Sequence, residues 1–419
     1  MYFQPAYKMP TRPFFTKMIE PAVVELRKDI QEHLFKAQYV SFTTDIWTES
    51  TTKHSFISVT AHWITPIWQR RDFILGCEEF PESHTGTNIA AKINLIFEKW
   101  NLNVVDDPEA HHATETDVTK DNINNKQQNQ APVKNMIVRD GAANMRVGCA
   151  AIPLPSSHCV IHLLQLCIKD AIFADEVYFN VVQKCRVLVS FLHKSPRATA
   201  AFRRKQVACN NHPLSSAKQL VGDVVTRWNS TYLMFRRIAL LEEPLKDFMS
   251  EEEECDSTWT SAKTLDANDF DLINSMITVL APFFELTEIM SSNKLSIALA
   301  IPCIGWLKGK LKKITNVRVN AMKKQLLDTI QTRFYSKQPC ETSGQVHYNL
   351  PSDPRFSLPT LLHPALKLRP FTKKSNQQKV KQELQDAVTA LAVKHEEERR
   401  MEESNQSIIF LCLYQSISL

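Results

Sequence analysis

A change of hydrophobic period along the chain constrains its fold more than any other feature. Apolar and polar residues alternate in three segments that begin at Tyr39, His54 and Arg70, a pattern that predicts three β-strands. Apolar residues then recur at every third or fourth position from Thr85, which predicts a helix, and a fourth strand is predicted from Val133. The predicted order is three strands, a helix, a strand and a further helix. This order predicts a mixed α/β sheet.

The flanking parts of the chain carry helical patterns. Residues 14–36 place apolar side chains at helical spacing, and from about Val160 onward the segments are almost all amphipathic helices. The Pro- and Ser-rich stretch from Gln338 to Pro359 is predicted to be a connector. Residues 373–403 are predicted to form an exposed, charged helix, followed by a short apolar tail.

These patterns divide the chain into four segments. They are an N-terminal helical segment (residues 1–38), the sheet core (39–165), a helical domain (166–372) and the charged helix with its tail (373–419). Within the core, residues 106–132 contain almost no large apolar side chain. Because such a segment buries too little surface to offset the entropy of ordering it, we predict a disordered loop there.

Composition excludes several classes of protein. Eight glycines occur in 419 residues, and neither a P-loop nor a dinucleotide fingerprint is present. The ten cysteines include no CxxC pair, which predicts reduced thiols in the cytosol or the nucleus. Because the sequence has neither a signal peptide nor an apolar run of about 18 residues, we expect no membrane association. The formal net charge of +5 permits a nucleic-acid partner without requiring one.

Two aspartates stand where strands of the sheet are predicted to end. Asp45 closes the first strand in TTDIWT, and Asp140 closes the fourth in VRDGAAN. If these strands are neighbours, both carboxylates project from one end of the sheet, where two oxygen ligands suit one or two Mg²⁺ ions. The alternative is that each aspartate only caps a turn or the following helix.

A cysteine and a histidine form a CxxH pair, Cys159 and His162, with His158 beside them. Such a pair can supply two zinc ligands, but a structural zinc site needs four and no second pair follows. The alternative is a buried thiol with a hydrogen-bonded imidazole. A nucleophilic Cys–His site is a weaker hypothesis, because an imidazole on the same helix turn has no orienting partner.

Basic and aromatic residues suggest contacts with nucleic acid. Trp228 can stack on a base while Arg227 holds a phosphate, although a core tryptophan beside a surface arginine explains the same pair. A basic stripe consists of Lys308, Lys310, Lys312, Lys313 and Arg318. It can follow a nucleic-acid backbone or simply form a solvated face.

The order of these motifs resembles the transposase core of hAT elements and of the related zinc finger BED domain-containing proteins. The matching segments are TTDIWT, RDGAANM, CVIH and TRWNSTY, in that order, and LPTLLHPALKLRPF from Leu358 is similar to a later segment of the family. The resemblance covers roughly residues 5–372.

The resemblance implies a ribonuclease H-like mixed sheet interrupted by a large all-α insertion domain. It further implies that Asp45 and Asp140 are the first two acids of a metal-binding DDE triad, and that Cys159 and His162 shape the core beside it. Arg227 and Trp228 would approach a flipped base at the cleaved transposon end. DNA is the implied partner, and Mg²⁺ the implied cofactor.

The sequence also departs from the family pattern. No segment matches the family's third acid and dimerisation helices, so a homodimer would need that additional region, and no BED finger precedes the core. Glu285 and Glu288 are acids outside the family's motif, and His363-Pro364-Ala365 replaces its charged DPR. We therefore expect a domesticated or truncated, non-catalytic nuclear protein that regulates transcription through DNA or protein contacts. The alternative is a fragment of an active transposase that cleaves and joins DNA with Mg²⁺.

Overall fold

The computed structural model describes ten ranges of the chain. These are residues 10–37, 39–49, 51–65, 67–102, 133–210, 217–225, 227–250, 265–291, 296–342 and 345–417. The loop predicted over 106–132 lies outside them. The chain divides into two compact units, Met1–His162 and Leu163–Leu419.

The first unit is built on a five-stranded mixed sheet. Its strands are β1 (Tyr39–Thr48), β2 (Ser55–Ile64), β3 (Arg70–Glu79), β4 (Val133–Arg139) and β5 (Ser156–His158). They lie in the order β3-β2-β1-β4-β5. The strands β1, β2 and β3 are antiparallel neighbours, whereas β4 pairs in parallel with both β1 and β5. This arrangement, followed by a largely helical second unit, confirms the expected fold class.

Three helices accompany the sheet: α1 (Arg12–Phe35), α2 (Gly86–Lys99) and α3 (Ala143–Ala150). Thr85 caps α2, since its side chain accepts a hydrogen bond from the Asn88 N–H. Phe97 of α2 packs on Phe42 of β1 with ring centroids 4.7 Å apart, and both are buried. The apolar stripe of α2 therefore covers one face of the sheet.

The pleat of β1 divides its side chains between two environments. Val40, Phe42 and Thr44 are buried, so they belong to the core face. Asp45 is exposed, and it shares the opposite face with Thr43, whose hydroxyl lies 3.0 Å from Nε2 of His62 on β2. The face away from α2 is thus lined by polar groups around Asp45.

The second unit is mainly helical, and α4 (Val160–Phe173) leads into it. The helices that follow are α5 (Glu176–Lys194), α6 (Pro196–Asn210), α7 (Trp228–Leu240), α8 (Glu242–Ser250), α9 (Ala267–Met290), α10 (Ala300–Lys312), α11 (Asn320–Phe334), α12 (Pro354–Leu362) and α13 (Lys374–Ile417). The predicted charged helix at residues 373–403 is thus confirmed as the first part of α13, which runs on to Ile417.

The prediction of a connector from Gln338 to Pro359 is wrong. An antiparallel hairpin of β6 (Tyr335–Thr342) and β7 (Gln345–Asn349) stands there, followed by α12. The reason is that the few aromatic residues of this stretch are core residues. Tyr348 and Phe356 are buried with their ring centroids 5.7 Å apart, so their packing outweighs the turn-forming composition around them.

One helix among the described residues, α9, is long and apolar enough to cross a membrane by length and composition alone. Half of its most apolar stretch is buried within the protein. Phe270, Ile273, Met276 and Phe283 are all less than 2% exposed, as in the core helix of a folded domain.

Candidate functional site

Asp45 and Asp140 lie at matching positions on neighbouring parallel strands. In the register of β1 and β4, Thr43 pairs with Val138, and each aspartate follows two residues later. Asp140 comes directly after β4, as the sequence predicts. The prediction that Asp45 ends β1 is wrong, because β1 continues to Thr48 while it remains paired with β2. The carboxylate therefore stands on the part of β1 that extends beyond its pairing with β4.

Each carboxylate accepts a hydrogen bond from a nearby backbone amide. Oδ1 of Asp45 lies 3.0 Å from the N–H nitrogen of Ile46. Oδ1 of Asp140 lies 3.1 Å from the N–H nitrogen of Ala142, which precedes the first residue of α3. The local capping role considered from the sequence is thus present at Asp140, and it fixes the chain between β4 and α3.

The glycine after Asp140 makes room for a histidine of β5. A Cβ on Gly141 would lie 2.8 Å from Cδ2 of His158 and closer still to its Nε2, well inside van der Waals contact. His158 is 2% exposed, and its Nδ1 lies 3.0 Å from the carbonyl oxygen of Cys159. The DG dipeptide therefore reflects close packing between the β4–α3 turn and β5.

Cys159 and His162 form a coupled pair beside this turn. The N–H of Cys159 donates to the carbonyl oxygen of Arg139 at 2.8 Å, which places the cysteine next to the end of β4. Burial alone would raise the pKa of the Cys159 thiol, but hydrogen bonding and attraction to His162 outweigh it and leave the pKa lowered. The hydrogen bond with Cys159 in turn raises the pKa of His162 against the effect of burial. Each group therefore stabilises the charged form of the other.

The two aspartates act on the same imidazole. After the effects of Cys159 and of burial, the negative charges of Asp140 and Asp45 also raise the pKa of His162. Three titratable side chains from β1, the β4–α3 turn and α4 therefore share one electrostatic environment. The family resemblance implies that His162 lies beside the two acids, but the electrostatic coupling itself is not predicted from the sequence.

Among the described residues, no group of three or more His, Cys, Asp or Glu side chains is arranged to hold a metal ion. The tetrahedral zinc site that a CxxH pair can begin is therefore not completed within this part of the chain. Mg²⁺ prefers oxygen ligands and is often held by one or two carboxylates together with water and substrate phosphate. The carboxylates of Asp45 and Asp140 fit that donor chemistry.

Arg227 and Trp228 lie in different environments although they are adjacent in the chain. Trp228 is 7% exposed, and its ring meets Phe283 edge to face with centroids 6.3 Å apart. Arg227 precedes α7 and is exposed. A cavity of about 40 Å³ borders the Trp228 ring, which is too small for a nucleobase. In this conformation the tryptophan is a core residue beside a surface arginine, the alternative considered from the sequence.

A buried ion pair that the sequence does not predict supports the loop before Arg227. Both carboxylate oxygens of Asp223 lie 3.0 Å from Nε of Arg186, and one lies 2.7 Å from Nη2. The same carboxylate accepts the hydroxyl hydrogen of Thr231 at 2.8 Å. Asp223 and Thr231 flank the TRW motif, but their partner lies 37 residues before Asp223, where no local pattern connects them.

Two family models match the chain. Residues 43–140 match the ZBED1 RNase-like domain, and residues 157–279 match the ZBED1 RNase-like helical domain. A protein named as an AC transposase in Zea mays is 27% identical over 273 residues, which cover 65% of this chain and 30% of that protein. Zinc finger BED domain-containing protein 4 of Homo sapiens is 21% identical over 396 residues, which cover 90% of this chain and 29% of that protein.

This chain belongs to the hAT transposase-derived proteins. A further similar protein, named as a transcriptional regulator in Talaromyces stipitatus, is 24% identical over 302 residues, covering 66% of this chain and 32% of that protein. The chain spans about a third of the length of these curated relatives. In this hAT-derived chain the RNase-like match ends at Asp140, and the helical match begins beside His158.

Proposed function

We propose that this hAT-derived protein binds DNA in the nucleus and regulates transcription without cleaving DNA itself. The similar proteins carry the names of transposases, a transcriptional regulator and a zinc finger BED protein. Transposases and transcriptional regulators both act on DNA, and in a eukaryotic cell both act in the nucleus. The exposed Arg227 is the side chain that we assign to a phosphate contact.

Asp45 and Asp140 together form what we call the acidic edge of the sheet. The observation that supports the absence of cleavage is that both of these carboxylates interact with the imidazole of His162. Both carboxylates raise the pKa of His162, so they stabilise a proton on that imidazole and would also have to hold a divalent cation. A divalent cation there would therefore compete with a proton on His162 for the same two negative charges. One carboxylate oxygen of each aspartate is also engaged with a backbone amide.

The second candidate function is metal-dependent DNA cleavage, favoured by the matching positions of Asp45 and Asp140 on adjacent strands. These two carboxylates would hold the ion, which would supply charge neutralisation at a phosphodiester and activation of a nucleophile. The chain's own contribution would be to fix one carboxylate on β1 and the other in the turn that directly follows β4. Deprotonation of His162 would reduce the competing positive charge.

The binding proposal is tested by fluorescence anisotropy with the full chain and labelled duplexes of mixed sequence. We expect saturable binding that weakens steeply as salt rises, because phosphate contacts release counterions. The matched variant Arg227→Gln should bind more weakly with an unchanged melting temperature. Absence of binding by the folded wild-type chain, at low salt and across the duplex pool, would refute the proposal.

A further inference from the structure

A basic pocket lies in the second unit, between α10, the end of α11, the hairpin and the segment from Leu366 to Asn376. Its volume is about 750 Å³, within the range of pockets that hold small-molecule ligands. Among the residues that the structure describes, five cationic side chains and no carboxylate line it. The five are Lys308, Lys312, Lys337, Arg369 and Lys373.

One of these cations is held in place by its neighbours. Nζ of Lys308 lies 2.9 Å from Oε1 of Gln331 and 4.2 Å from the centroid of the Tyr335 ring. Burial lowers the pKa of Lys308, and the positive charges of Lys312 and Lys373 lower it further. Lys308 is therefore repelled by Lys312 and Lys373, and an anion bound among these three cations would relieve that repulsion.

The shape of the pocket leaves room for such an anion. Gly305 and Gly309 of α10 line it, and a Cβ built on either residue meets nothing within 4 Å. Lys312, Lys337, Arg369 and Lys373 are exposed, so a ligand can reach them from solvent. The volume is several times that of one phosphate group, and the cations come from separate segments of the chain. Both features suit several phosphates rather than one.

From this geometry we infer that the basic pocket binds consecutive phosphate groups of a nucleic-acid backbone. This inference rests on the proposed DNA-binding function and assigns a surface to it. Exposed lysines and arginines around an open concave surface are the groups that position a protein on a phosphodiester chain. The pocket contains part of the basic stripe seen in the sequence, namely Lys308 and Lys312, and excludes Lys310 and Lys313.

That division provides a matched control on the same helix. The test variant, Lys312→Gln with Lys373→Gln, removes two exposed charges that line the pocket. The control, Lys310→Gln with Lys313→Gln, removes two exposed charges beside it. Both variants change the net charge equally, so a general electrostatic effect weakens both to the same extent. Duplex affinity is measured by anisotropy over a range of salt concentrations, after unfolding curves have shown that both variants fold.

We expect several-fold weaker binding by the test variant than by the control. The slope of log K against log salt should also decrease by about 0.9 for each phosphate that the protein no longer neutralises. Equal affinities and slopes for the two variants, with a wild-type chain that binds DNA, would overturn the pocket assignment and leave the proposed function intact. A wild-type chain that binds no duplex would overturn both.

Inorganic tripolyphosphate distinguishes a backbone from a compact polyphosphate. As a competitor, it should displace duplex from the wild-type chain only at high concentration, because it matches few of the contacts of a long backbone. Tight calorimetric binding of tripolyphosphate that disappears in the test variant, without any binding of duplex, would assign the pocket to a small anionic ligand. That result would overturn the nucleic-acid inference.

Discussion

Gly141 packs against the imidazole of His158 so closely that a Cβ on residue 141 would overlap the ring. The turn that carries Asp140 thus packs directly on β5, with no space for a Cβ between them. His158 is in turn connected to Cys159 and so to the start of α4. Packing at a single glycine therefore keeps the acidic edge and the CxxH segment in register.

Gly141→Ala should destabilise the protein, because the new methyl group displaces a buried imidazole. Overpacking of this kind costs about 1–3 kcal/mol, to be measured from urea unfolding. Gly309→Ala is the matched control, since its Cβ meets nothing within 4 Å and α10 gains a better helix former. The control should be stabilised by about 0.5–1 kcal/mol. Equal unfolding free energies for both variants would mean that His158 does not pack on Gly141.

Asp140→Asn should lower the pKa of His162, because the carboxylate is one of the charges that raise it. NMR titration of the imidazole measures this directly. Asp72→Asn is the control, since Asp72 acts on His62 instead and should leave the His162 titration unchanged. An unaltered His162 pKa in Asp140→Asn would show that the two groups are not electrostatically coupled.

The same coupling predicts a pH dependence of stability. A histidine whose pKa is raised on folding contributes stability that is fully present below its unfolded value of about 6.5. That contribution is lost as the pH rises through the raised folded value. The difference in unfolding free energy between the wild type and Asp140→Asn should therefore be larger at pH 6 than at pH 9. A difference that grows with pH would contradict the assignment.

Asp223→Ala should destabilise the second unit by about 3 kcal/mol, because it leaves Arg186 and Thr231 without their shared partner. The side chain of Asp223 is 4% exposed, whereas the side chain of Arg186 is 21% exposed and can regain some hydration. Asp271→Ala, which breaks the exposed pair with Arg318, should change stability by less than about 1 kcal/mol. Similar losses in the two variants, measured by chemical unfolding, would argue against a structural role for Asp223.

Arg227 and Trp228 should be separable by mutation, although they are adjacent in sequence. Arg227→Gln should leave the unfolding free energy unchanged and weaken DNA binding, because the side chain is exposed. Trp228→Ala should cost about 3–5 kcal/mol, because it removes a large buried ring packed against Phe283. Unfolding curves and anisotropy on both variants check this. A stable Trp228→Ala chain that no longer binds DNA would instead place the ring at the interface.

The sequence predicts much of the sheet because β1 to β4 are long enough to show their period. The strand β5 has three residues, Ser156–His158, and so carries no alternation to recognise. The hairpin of β6 and β7 escapes prediction for a different reason. Its Pro- and Ser-rich composition is typical of a connector, and the burial of Tyr348 depends on packing that no local pattern reveals.

The candidate site shows the same limit. Motif order identifies Asp45 and Asp140, and strand order explains why they lie on neighbouring strands. The continuation of β1 past Asp45 depends on its partner β2, so the strand end could not be placed from β1 alone. The effect of both acids on the pKa of His162 depends on the distances between the three side chains in the folded protein. Electrostatics of this kind becomes visible only in the folded chain.

The central claim, that this chain binds DNA without cutting it, is tested most directly by a cleavage assay. End-labelled duplex is incubated with the full chain in Mg²⁺ or Mn²⁺ beside the double variant Asp45→Asn, Asp140→Asn, and the products are resolved on a denaturing gel. We predict intact DNA with both proteins under conditions where anisotropy shows the duplex to be bound. Metal-dependent cleavage by the wild type that disappears in the double variant would contradict the claim and establish the acidic edge as an active site.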